Sequence, residues 1–199
     1  MSIAPETVAT LKDLEGARGL PFQINKIGHV VLMCSDIRRS TEFYTQVLGF
    51  KVSDVYSEDL RPGGMVFMRC STDHHGIALV GDATGAMESK ELDHLAFEVS
   101  SLDEVLRARD HLRQHNVQID FHGRRRAGCQ VAVEFRDPDG HRLEIYWGLD
   151  QVGSDGTIRP QSEWRQEFTL EGALKNAPPG QDMTLRDPTL AKGPARAAE

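Results

Sequence analysis

The feature that most constrains what this chain can fold into is that it repeats itself. Sliding the sequence by about 65 residues lays "NKIGHVVLMCSDIRRSTEFYTQVLGFKVSDVY" over "KELDHLAFEVSSLDEVLRARDHLRQHNVQIDF". Each segment opens with an apolar, partly β-branched strand carrying a histidine at the same place, His29 or His94. Each then passes through a polar helix start, Ser35-Asp36 or Ser100-Ser101, into an amphipathic helix; in the first, Ile37, Phe43, Tyr44 and Leu48 share a face. Three strand candidates follow in each half: "FKVSDVY", "GMVFMRC" and "GIALV", then "VQIDFHG", "QVAVEF" and "RLEIYW". The order βαβββ, twice, predicts an α+β fold in which modules 24–82 and 90–150 form a curved mixed sheet around a cleft.

The domain built this way spans residues 24–153. Residues 1–23 read as an N-terminal extension with a short amphipathic stretch, "ETVATLKDLEG". Residues 154–199 read as a tail that wraps the domain. Thr169 starts a short helix there that ends near Pro178, Trp164, Phe168 and Leu170 supply apolar surface to bury, and the last residues read as disordered.

The 199 residues are 39% hydrophobic, which suits one well-buried core. A net charge of −7 and the lack of a long basic stripe argue against nucleic acid or an anionic membrane as the main partner. The run Arg124-Arg125-Arg126 reads as a solvated loop. No apolar run has the length of a membrane span, and the N-terminus lacks the basic-then-apolar order of a signal peptide. A cytoplasmic location is expected, and Cys34, Cys70 and Cys129 suit reduced thiols better than a disulfide framework.

Alternation along the strands carries the chemistry. Ile27, His29, Val31 and Met33 share one face, and Leu92, His94, Ala96 and Glu98 share another. A lone histidine in an apolar strand is more often a hydrogen-bonded core residue than a ligand. These two are related by the repeat, so two imidazoles converge on the cleft if the halves curl together. "DPDGHRLEIYW" then places a carboxylate, Glu144, in an apolar strand, where an unpaired buried charge costs several kcal/mol. Its counterpart in the first half is Ala78 or Leu79, neither a metal ligand. Two histidines and one carboxylate compose the facial triad, which suits octahedral Fe(II) and leaves positions open for substrate and oxygen.

The same residues resemble the vicinal oxygen chelate superfamily and, within it, the type I extradiol catechol dioxygenases. "GHVVLMCSDIRRSTEFYTQVLGFKV" is similar to the opening of a family module with His29 at the first ligand position, "LDHLAFEV" supplies His94, and "FRDPDGHRLEIYWG" supplies Glu144. "DHHGIALV" resembles the family's active-site strand, which implies that His75 is the acid/base beside the substrate. The family pattern has a histidine and a tyrosine where this chain has Arg125 and Glu134. Arginine donates to an anionic oxygen, whereas glutamate accepts and repels it, so the substrate is atypical, the reaction differs, or the match slips by one residue.

The resemblance implies ring cleavage of an aromatic diol with O2. Fe(II) is the expected metal, with Mn(II), Zn(II) or Ni(II) as alternatives. Arg125, Glu134 and Tyr146 fall to the substrate, and a homo-oligomer is expected. Two other readings stand beside it: a glyoxalase-like metal-dependent isomerase, lyase or epimerase, and a metal-free resistance protein that sequesters an aromatic compound.

Overall fold

The computed structural model describes residues 4–15, 27, 29–72, 74–81, 92, 94–126, 128–151, 157 and 159–192. The expected boundaries near residues 23, 82, 90 and 153, and the expected disorder of the last residues, fall outside them. After α1 (Pro5–Lys12), the first module runs β1 (Val30–Met33), α2 (Ile37–Glu42), β2 (Lys51–Tyr56), β3 (Met65–Arg69) and β4 (Ile77–Val80). The second runs β5 (Leu95–Glu98), α3 (Leu102–Gln114), β6 (Ile119–Arg124), β7 (Val131–Arg136) and β8 (Arg142–Trp147). The mixed sheet is divided into two four-stranded sheets of matching order, β1-β4-β3-β2 and β5-β8-β7-β6. In both, the first strand runs parallel to the last and the other neighbours are antiparallel, and both second strands carry a bulge, between Val52 and Asp54 and between Ile119 and Phe121.

Local chemistry explains the helices. Asp36, in extended backbone, caps α2 by accepting from the Arg39 amide. The Ser101 hydroxyl reaches Glu104 at the start of α3, with Asp103 and Glu104 in the first turn, where the helix dipole favours negative charge. The repeat breaks at one place: α2 continues as a π-helical turn over Phe43–Val47, whereas α3 stays regular. The wider turn lets the consecutive rings of Phe43 and Tyr44 both enter the core. From Tyr44, edge-to-face contacts pass to Phe50 at 5.8 Å and on to Phe97 of the second module at 5.7 Å.

A polar clamp joins the modules as well. Asp139, in the β7–β8 turn, accepts from the Ser35 amide (2.8 Å), the hydroxyls of Ser35 and Ser40, and Arg39 (3.3 Å), all at the start of α2. Asp137 accepts from the Tyr44 hydroxyl (3.1 Å) and pairs with His141 Nδ1 (2.8 Å). These carboxylates are buried, and each finds several donors.

The tail lies against the second module. Glu167 pairs through its backbone with Arg124, at the edge strand of that sheet, and α4 (Leu170–Lys175), capped by Thr169, packs on β6 with Leu170 buried. Two expectations need correction here. Phe168 is 69% exposed rather than buried. Arg124 is no part of a solvated loop: it is fully buried, its guanidinium donating to the Asn176 carbonyl and Gln181 Oε1, because tail groups stand where water would. No described helix is long and apolar enough to cross a membrane.

Candidate functional site

Alternation separates a core face in both sheets from an opposite face, the one expected to line the cleft. In β1, Leu32 packs into the core with Cys34 just beyond it, while Val31 is 46% exposed on the side shared with His29. In β5, Leu95 and Phe97 pack toward the core, leaving Ala96 and Glu98 on the side of His94. In β8, Leu143, Ile145 and Trp147 go to the core, and Glu144 and Tyr146 face the other way. Both histidines directly precede the first strand of their module. Strand register settles which residue matches Glu144: Val31 pairs with Ala78 as Ala96 pairs with Glu144, so the counterpart is Ala78.

Glu144 stands on the cleft face yet is only 2% exposed. Its Oε2 lies 3.3 Å from His94 Nε2, and its Oε1 accepts from Gln130 Nε2 at 3.5 Å. Burial pushes its carboxyl above the usual range and the charge of Glu134 adds to the rise, while His94, the Gln130 hydrogen bond and Arg125 oppose it. Two donor atoms bound at right angles to one divalent ion, each at roughly 2.1 Å, lie about 3.0 Å apart, and about 3.4 Å apart in a tetrahedral site. The imidazole–carboxylate spacing therefore fits an ion already.

His29 sits across the pseudo-symmetry. Its ring centroid is 4.6 Å from that of His75, which in turn lies 5.1 Å from Phe67. His74 Nδ1 and His75 Nδ1 are 3.1 Å apart. Desolvation, then the neighbouring His29 and His74, hold His75 below the ordinary imidazole value, which favours a neutral ring at pH 7. Of the three expected metal ligands, the structure brings His94 and Glu144 together and places His29 with His75. Among the described residues, no three His, Cys, Asp or Glu side chains already form a group around one point.

The two residues that depart from the resemblance prove to be partners. Arg125 Nε and Nη2 both donate to the Glu134 carboxylate at 2.7 Å, and its guanidinium lies 3.8 Å over the Phe121 ring. Glu134 is directly opposite Glu144 in the β7–β8 register, so the pair adjoins the buried carboxylate. Tyr146, on the same strand face, has its hydroxyl held above the ordinary value by desolvation, then by Glu98 and Glu144, and stays a donor. Gln130 and Phe121 were not singled out from the sequence. Alternation in "QVAVEF" does place Gln130 on the face of Glu134, so that signal was present. On the opposite side of the second sheet, a pocket of about 550 Å³ opens between Leu48, Phe50, Phe97, Ile145, Arg107 and His111.

Residues 26–145 match the Glyoxalase/Bleomycin resistance protein/Dioxygenase superfamily. The chain is 31% identical over 155 residues to a biphenyl-2,3-diol 1,2-dioxygenase of Metapseudomonas furukawaii, a match covering 75% of this chain and 50% of that protein. It is 28% identical over 158 residues to a manganese-dependent 2,3-dihydroxybiphenyl 1,2-dioxygenase of Geobacillus genomosp. 3, covering 77% and 48%. The chain thus spans about half the length of the curated relatives it matches. The solved structure of the trypanothione-dependent glyoxalase I of Leishmania major is alike in fold, with a TM-score of 0.51 at 22% identity over 63% of this chain and 88% of that one.

Proposed function

The chain belongs to the Glyoxalase/Bleomycin resistance protein/Dioxygenase superfamily, and from that premise we propose that it is a metal-dependent extradiol dioxygenase cleaving a catechol-type aromatic diol with O2. The observation that carries this reading is the buried Glu144 carboxylate held 3.3 Å from His94 Nε2 on the cleft face. His29, His94 and Glu144 would hold the ion, with Fe(II) as the first candidate and Mn(II), named in one relative, as the second. When bound, such an ion acidifies the hydroxyls of a chelated diol and leaves a position open beside it for oxygen. The relatives named as dioxygenases for aromatic diols support the substrate class.

The chain's own residues supply the proton handling. His75 takes the hydroxyl proton at Nε2, which requires the tautomer whose Nδ1–H donates to His74 Nδ1. His74 then orients that ring and keeps its Nε2 an acceptor. His75 would hold that proton for return to the product, so that the diol and both atoms of O2 account for the ring-opened semialdehyde acid. Phe67, Tyr56 and Phe121 offer apolar faces to an aromatic ring. Arg125 brings positive charge toward an anionic diol, tempered by its pairing with Glu134.

The Arg125–Glu134 pair also favours a second reading, a metal-dependent isomerase or lyase, because it replaces the side chains that a ring-cleaving member uses on the diol. The discriminating experiment is oxygen consumption by Fe(II)-loaded protein across catechols of increasing bulk, with the yellow ring-opened product followed by absorbance. Uptake matched to product is expected. No uptake with any diol, together with turnover of a non-aromatic substrate by the Zn(II), Ni(II) or Mn(II) form, transfers the assignment to the second reading.

A further inference from the structure

Gln130 precedes β7 and stands on the cleft face with Ala132 and Glu134. Its carboxamide is used unequally. Nε2 donates to Glu144 Oε1 at 3.5 Å, while Oε1 is buried without a hydrogen-bond partner among the described residues. A buried carbonyl oxygen without a donor is rare and costs stability. Turning the amide over would not relieve that cost in the metal-bound state, because it would aim Oε1 at an ionised carboxylate.

Glu144 is thereby addressed from two sides, Oε1 by Gln130 and Oε2 by His94 Nε2 at 3.3 Å. A carboxylate that binds an ion through one oxygen needs this division, since an unheld second oxygen lets the group rotate away. The Gln130 backbone is occupied separately: its carbonyl accepts from the Arg125 amide at 3.3 Å, so the β6–β7 connection does not depend on the side chain.

We propose that Gln130 is a positioning residue, holding Glu144 through Oε1 so that Oε2 stays directed at the point it shares with His94. The unpaired amide oxygen is the cost of that orientation. This inference rests on Glu144 being a metal ligand, and the test separates the two claims.

Mn(II) alone is titrated into wild-type protein, Gln130→Met, Gln130→Asn and Glu144→Ala, and the melting temperature of each metal-free form is recorded. Methionine keeps the volume without the donor, and asparagine keeps an amide one methylene too short to reach, so either suffices if the other fails to fold. Mn(II) affinity should fall roughly 10–100-fold in both Gln130 variants. The metal-free melting temperature of Gln130→Met should be unchanged or higher, because the orphaned oxygen is gone. A lowered melting temperature with wild-type affinity would make Gln130 merely structural and overturn the inference. Wild-type affinity in both Gln130 variants, with binding lost in Glu144→Ala, overturns the inference alone. If wild-type protein binds no Mn(II), or Glu144→Ala binds it equally, the metal reading falls and takes this inference with it.

Discussion

At the scale of single residues, the site depends on a carboxylate whose ionised form burial disfavours and whose neighbours His94, Gln130 and Arg125 support. Replacing His94 by Ala should abolish metal binding and leave the fold intact, since the ring lies on the cleft face outside the core; metal content and circular dichroism check the two halves of that statement. His75→Ala should lower turnover by about two to four orders of magnitude with metal retained, the usual contribution of a positioned acid/base. A double-mutant cycle on Arg125→Met and Glu134→Gln should show coupling of about 0.5–3 kcal/mol by denaturant unfolding, because removing the arginine alone leaves Glu134 unpaired beside Glu144. A carboxylate inside an apolar strand made Glu144 legible, and the structure puts it on the face opposite the core, next to His94. The Arg125–Glu134 pair was not legible, because Arg125 reaches Glu134 diagonally across the β6–β7 pairing, over the ring of Phe121, whose register partner is Glu134.

At the scale of elements, the repeat was the readable part, and each predicted strand and helix has its counterpart in the structure. What sequence spacing left open, strand register decided: the bulges of the two modules match, but the segments joining their strands differ in length, and that hides the alignment that makes Ala78 the partner position of Glu144. The π-helical turn of α2 and the Asp139 clamp were also invisible, since both arise from how the modules meet. Asp139→Ala would strand the Ser35 amide and two hydroxyls, and should cost about 2–4 kcal/mol in urea unfolding. His141 adds a pH dependence. Burial alone would lower its value, but the Asp137 hydrogen bond and the charges of Asp137 and Asp139 raise it above 6.5. Its protonated form is therefore favoured by folding, with Tyr44 as the other titratable group on Asp137. The stabilisation should be fully present below about pH 6.5 and be lost as pH rises through the raised folded value. The difference in urea midpoint between wild type and His141→Gln should shrink across that window, and a difference that grows would contradict the assignment.

At the scale of the whole molecule, the second sheet is covered at its β6 edge by the tail, while the corresponding β2 edge of the first sheet keeps Val52, Val55 and Tyr56 exposed. Gly123 permits that cover: a Cβ there would lie 2.2 Å from the Glu167 carbonyl oxygen. Where the pseudo-symmetry holds, a histidine precedes the first strand of each module; where it fails, Glu144 stands in place of Ala78, and on the proposed function that failure supplies the third donor. The most direct test is an anomalous difference map, recorded at the iron edge, from crystals soaked anaerobically with Fe(II). One peak per chain is predicted, within roughly 2.0–2.3 Å of an imidazole nitrogen of His29, His94 Nε2 and Glu144 Oε2. A peak held elsewhere, or one that excludes His29, would contradict the account.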